Sequence, residues 1–197
     1  GLRLRRFCFL AEIFQNVNYL IFSNPSILYN RTVNKNQTRK EQNIMSEVEK
    51  RLAEKGIEIH AAPIPVAVYL PGVISGNTVY VSGQLPFEQG KLNYTGSLKS
   101  EDEIETGYRA AQICAINCLS VVKALIGDLD RVTKVVKLCG FVNSAPEFAA
   151  QPKVVNGASE LMQTAFGEKG AHARSAVGVA ALPMNAVCEV ELIVEFE

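Results

Sequence analysis

The last stretch of the chain dictates its own surroundings. Cys188, Val190, Leu192, Val194 and Phe196 alternate with Val187, Glu189, Glu191, Ile193 and Glu195. Successive side chains of a strand point to opposite faces, so this segment has one apolar face and one largely acidic face. The apolar face has to lie under something equally apolar. Solvation accounts for Glu191 and Glu195, but Val187 and Ile193 fit water poorly, so the second face also wants cover.

The material for the first layer lies upstream. Between residues 103 and 126, apolar or small side chains recur at 104, 108, 111, 115, 119, 122 and 126, the spacing of an amphipathic helix, and Gly127-Asp128 stops it. Residues 131–142 are rich in Val, Leu and Phe and read as a strand. Asn143-Ser144-Ala145-Pro146 then turns into a second helix through Phe148, Val155, Leu161 and Phe166 to Gly167.

Two strands come early. Val73-Ile74-Ser75 and Thr78-Val79-Tyr80-Val81 flank Gly76-Asn77, a two-residue hairpin turn whose pair supplies positive φ values. They follow a short helix over residues 46–55, stopped by Gly56, and an extended lead-in carrying Pro63, Pro65 and Pro71. Residues 174–180 and 186–196 make two more strands, joined across Leu182-Pro183-Met184-Asn185. The sum is an α+β sandwich, a mixed, mainly antiparallel sheet with two helices on one face.

A chain of 197 residues that is 48% apolar has enough material for one core and too little for two developed domains. The division falls near residue 45. Residues 1–44 carry Arg3, Arg5, Arg6, Arg31, Lys35, Arg39 and Lys40 against Glu12 and Glu41, and their Asn-rich second half has no folding pattern. This head reads either as an organellar presequence or as sequence upstream of a start at Met45. The location is accordingly organellar, mitochondrial for example, or cytoplasmic. No uninterrupted apolar run reaches the length of a membrane span, since Asn16, Asn18 and Asn24 break the best candidate in the head.

Composition and motifs remove several function classes. Twenty basic and twenty acidic residues cancel, which disfavours a nucleic-acid partner. Five scattered cysteines define no disulfide framework. Cys114 and Cys118 sit one helical turn apart without a histidine nearby, and read as small buried hydrophobes rather than metal ligands. Neither phosphate-loop nor dinucleotide spacing occurs around Gly72–Gly76 or Ser82-Gly83-Gln84. His60 and His172 read as surface or interface histidines.

Arg174 stands out because a guanidinium at the mouth of a strand matches a small carboxylate bidentately, although exposed arginines at strand ends are equally common without any role. Ala176, Gly178 and Ala180 share its face and offer almost no bulk, which suggests an interface, a cleft, or a patch filled by neighbouring side chains. Glu189 is a proton-transferring or water-positioning carboxylate if it reaches the same cleft.

Tyr69-Leu70-Pro71-Gly72-Val73, Ser75-Gly76-Asn77, Val81-Ser82-Gly83-Gln84-Leu85-Pro86, and the tail from Arg174-Ser175 through Leu182-Pro183 to Glu189-Val190-Glu191 together resemble the Rid/YjgF family of reactive-intermediate deaminases. The likeness runs from about residue 60 to the end of the chain. It implies a chorismate-mutase-like fold and a homotrimer whose sheets build a central barrel, with clefts between neighbouring subunits. It further implies hydrolysis of 2-imino or enamine acids, such as 2-iminobutanoate and 2-iminopropanoate, to 2-oxo acids and ammonia. No cofactor and no metal are needed. Arg174 would bind the substrate carboxylate, Glu189 would activate water, and Tyr69, Ser82, Gly83 and Asn156 would line or support the pocket. Ala176 stands where a cysteine is frequent in the best-known branch and Gly178 where a glutamate sits, so the chain looks closer to a second, longer-headed branch. The competing readings are a trimeric small-molecule-binding or regulatory protein without catalysis and, behind it, an endoribonuclease or chaperone-like protein, the former suggested by the older description of the family.

Overall fold

The alternating C-terminal segment becomes the middle strand of a five-stranded sheet in a computed structural model that describes residues 45–62 and 69–197. The basic head with its two readings, and residues 63–68 of the proline-bearing lead-in, lie outside the described residues. In chain order the elements are helix α1 (Glu47–Ala53), strands β1 (Gly72–Ser75), β2 (Thr78–Gln84), β3 (Phe87–Glu88) and β4 (Lys91–Leu92), helix α2 (Ile104–Ile126), strand β5 (Val132–Asn143), helix α3 (Gln151–Phe166), and strands β6 (Ala173–Val179) and β7 (Cys188–Phe196).

The main sheet runs β1-β2-β7-β5-β6, antiparallel at every joint except β5–β6. Consecutive strands β6 and β7 therefore do not pair. β5 lies between them, and α3 makes the crossover that a parallel pair requires. Cys188, Val190, Leu192 and Val194 of β7 are fully buried beneath the helices, as the alternation demands. From α2 the expected stripe of Ala111, Ala115, Leu119, Val122 and Ile126 meets them, widened by Ala110, Cys114, Cys118 and Val121.

The two helices approach each other at Gly157, where a methyl group would collide with the Tyr108 carbonyl. α2 is long and apolar enough in composition to cross a bilayer, a property its polar interruptions hid in the sequence. Its apolar side is spent on the sheet, with 56% of the most apolar window buried in the fold. Burial raises the Cys114 and Cys118 thiols far above their ordinary range, as expected of core hydrophobes. No group of three or more metal-ligating side chains occurs among the described residues.

Helix α1 is clamped from a distance. Its N-terminal amides at Glu47 and Val48 donate to the two carboxylate oxygens of Asp130 at 2.8 and 2.9 Å, while Ser46 Oγ accepts from Glu49 N at 3.1 Å. A carboxylate at a helix N-terminus answers both the orphan N–H groups and the helix dipole. Val48 and Leu52 then bury against the domain, and Gly56 at φ +72° turns the chain away.

Three expectations need correction, and one pair of strands was not foreseen. In the β1–β2 turn only Gly76 adopts positive φ, at +60°, so Asn77 is not the second left-handed residue. α3 starts at Gln151, and Ser144–Ala150 instead forms an isolated bridge, a short turn at Pro146-Glu147 and irregular chain in which Phe148 is buried. Strands β3 and β4, two residues each, are too short to show any periodicity. Val187 is 2% exposed and precedes β7, so it belongs to the core rather than to the acidic face.

Candidate functional site

The open face of the sheet carries one group of candidate residues. β2 has an extra residue between Val81, which pairs with Leu192, and Gln84, which pairs with Val190. The resulting bulge is Ser82-Gly83, and bulges re-aim backbone and side chains at functional sites. Here the Gly83 Cα lies against the Glu189 carboxylate, and a methyl at 83 would overlap Oε1. Ser82 ties the lead-in to the bulge, its amide donating to Pro71 O at 2.9 Å and its hydroxyl to Leu70 O at 2.8 Å. Tyr69, half exposed, sits near the end of that lead-in.

Glu189 has no hydrogen-bonding or ion-pair partner on its carboxylate among the described residues. Burial pushes its carboxyl above the ordinary carboxylate range, and the Glu191 charge adds to the rise. A carboxylate moved towards neutrality takes and returns a proton more readily at physiological pH.

The second group lies on the other side. Arg174 pairs across the strands with Leu138, and Leu138 with Leu192, both fully buried beneath the helices. Its side chain accordingly rises to α3, where Nη1 donates to Asn156 Oδ1 at 2.8 Å and to Ser159 Oγ at 3.1 Å. Asn156 and Ser159 are three residues apart, neighbours on one helix face. Ser159 Oγ also lies 3.0 Å from His172 Nε2, and His172 Nδ1 lies 2.6 Å from Gly170 O. No carboxylate among the described residues forms an ion pair with Arg174, and its Nε and Nη2 make no hydrogen bonds among them.

Glu189 by contrast pairs with Phe141, and Phe141 with Val177, on the face away from the helices. One chain thus assembles two groups, Arg174 with Asn156 and Glu189 with Ser82 and Gly83, and does not bring them together. The small stripe beside Arg174 is filled in part by neighbours, since a methyl at Gly178 would press on Gln151 Nε2 and Ser144 Oγ.

Two participants escaped the sequence reading. Ser159 was hidden in a helix, although a polar residue one turn after Asn156 on a mostly apolar segment is a detectable signal. His172 was visible but read as a surface or interface histidine. A concavity of about 680 Å³ lies elsewhere, between α2, α3 and the segment after α1. His60 lines it with Arg109 and Glu160, whose opposite charges offer no single ligand group a consistent partner. The open face itself holds a shallow hollow of about 270 Å³ bordered by Val73, Tyr80, Ser82, Lys137 and Ile193.

A family model described as "YjgF/chorismate mutase-like, putative endoribonuclease" matches residues 49–196. Protein TCP17 of Trypanosoma cruzi is 47% identical over 145 residues, covering 73% of this chain and 91% of that protein. The 2-iminobutanoate/2-iminopropanoate deaminase of Dermatophagoides farinae is 35% identical over 137 residues, covering 69% and 91%. A solved structure of unknown function from Agrobacterium tumefaciens superposes with a TM-score of 0.71 at 50% identity, covering 76% of this chain and 92% of that one.

Proposed function

Given that the chain belongs to the YjgF/chorismate-mutase-like family, known also as the Rid family, we propose that it hydrolyses reactive 2-imino acids to 2-oxo acids and ammonia at clefts between the subunits of a homotrimer. The observation that carries this reading is the state of Arg174. Two neutral acceptors hold its Nη1, and no acidic side chain among the described residues neutralises it. A guanidinium fixed in place with its charge unspent is a receptor for a small carboxylate.

The chemistry follows from the substrate class. The imine carbon is electrophilic, so orientation and proton management suffice. Water adds its oxygen to that carbon while Glu189 takes one proton. That proton passes to the nitrogen to give the carbinolamine. Its hydroxyl proton then travels to the nitrogen by way of Glu189 as the carbon–oxygen double bond forms and the carbon–nitrogen bond breaks, so ammonia leaves with the 2-oxo acid. A raised carboxyl suits this exchange. Since Arg174 and Glu189 stand on opposite faces of one sheet, a second copy is needed to complete the cleft. The open face, with Val73, Tyr80 and Val177 each 44–45% exposed, is the surface that such a copy would cover.

The test is ammonia release from 2-iminobutanoate generated in situ by a threonine dehydratase. The full-length protein accelerates release over buffer. Arg174→Ala lowers the acceleration by about thirty-fold or more, the loss expected when a charge-assisted pair of roughly 2 kcal/mol is removed. Equal rates for wild type, variant and buffer would overturn catalysis. They would favour the binding-only reading, which the separation of the two groups within one chain also accommodates.

A further inference from the structure

We infer that Ser159 and His172 are positioning residues that fix which edge of Arg174 meets the ligand, an inference that rests on Arg174 being the carboxylate receptor. It follows from which atoms can donate. The Gly170 carbonyl only accepts, so the His172 Nδ1 facing it at 2.6 Å carries the proton. In the neutral ring Nε2 must then accept, and among the described residues its partner is the Ser159 hydroxyl, whose Oγ lies 3.0 Å away. With its hydrogen committed to His172, Ser159 Oγ turns its lone pairs outward and accepts from Arg174 Nη1 at 3.1 Å.

The polarity therefore runs in one direction, from Arg174 to Ser159 to His172 to the Gly170 carbonyl, and each bond fixes the next. Asn156 Oδ1 takes the second Nη1 hydrogen at 2.8 Å. With both Nη1 hydrogens engaged, the guanidinium presents its Nε–H and one Nη2–H as a side-on fork for a planar carboxylate. The anchors are neutral, so they fix the plane of the guanidinium without cancelling its charge. A free arginine would have to find that plane each time a ligand arrived, at a cost in side-chain freedom.

The experiment measures binding of 2-oxobutanoate, the stable product, to the full-length protein by calorimetry, alongside kcat and KM in the coupled ammonia assay. Ser159→Ala and His172→Phe are each expected to weaken 2-oxobutanoate about tenfold and to raise KM more than they lower kcat. Ser159→Thr restores the hydroxyl, and His172→Gln returns an acceptor near the Nε2 position, so both recover most of the loss. The double variant Ser159→Ala/His172→Phe binds no worse than either single one, because both act through one chain of bonds.

Losses that simply add, or Thr and Gln variants as weak as Ala and Phe with unchanged melting, overturn the inference. If Arg174→Ala abolishes 2-oxobutanoate binding while Ser159→Ala leaves it intact, the positioning role alone falls. If Arg174→Ala binds like wild type, the carboxylate-receptor reading falls with it.

Discussion

The two faces of the sheet obey the same alternation and meet different fates. Under the helices, Leu138, Val190, Leu192 and Val194 are sealed completely, and the chain needs nothing further there. On the other face Val73, Tyr80 and Val177 stay nearly half exposed beside Glu189, Glu191 and Lys137. The first face is stabilised by its own sequence. The second carries polar and apolar groups side by side, and it is the face that the proposed trimer would cover.

The largest effect that tests this contrast is a cavity on the sealed face. Leu138→Ala should cost about 2–5 kcal/mol in denaturant unfolding, since Leu138 is wholly enclosed between the sheet and α3. Ile193→Asp, on the neighbouring open-face position of β7, should change the stability of the isolated domain by only about 1 kcal/mol. It should instead shift sedimentation from a trimer to a monomer and remove activity with it. A monomeric wild type, or an Ile193→Asp protein that unfolds as badly as Leu138→Ala, would erase the distinction between the faces.

A smaller effect separates position from stability. Gly83→Ala forces the Glu189 carboxylate aside. Glutamate is flexible enough to yield, so folding should change by under about 1 kcal/mol while ammonia release falls. The smallest effect is electrostatic. The folded chain raises the Glu189 carboxyl, so it binds its proton more tightly than the unfolded chain does. That contribution is fully present below the unfolded carboxyl range and is lost as pH rises through the folded value. Glu189→Gln should therefore melt slightly higher than wild type at pH 7, with the gap closing below about pH 4.

Much of this was legible because it is local. The β7 alternation, the α2 stripe and the Gly76 turn each declare themselves within a few residues. What stayed hidden depends on partners far along the chain. Nothing in residues 173–196 says that β5 inserts between β6 and β7, and that insertion is what sends Arg174 and Glu189 to opposite faces. The residues of both groups could be named from family resemblance. Their division into two groups, and the attachment of Ser159 and His172 to one of them, required the register. The β3–β4 ribbon was lost for the opposite reason, being too short to carry a pattern at all.

The Asp130 clamp on α1 also has a consequence for biosynthesis. The two partners are 82 and 83 residues apart, so at ribosomal speeds of about 5–20 residues per second the helix waits roughly 4–17 seconds for its cap to be made. Through that interval Ser46 can cap Glu49, but the amides of Glu47 and Val48 lack their carboxylate and Val48 and Leu52 have no complete core to enter. Helix α1 is thus secured only after α2 has been made, and a nascent chain paused before residue 130 should offer that helix to a chaperone or a protease.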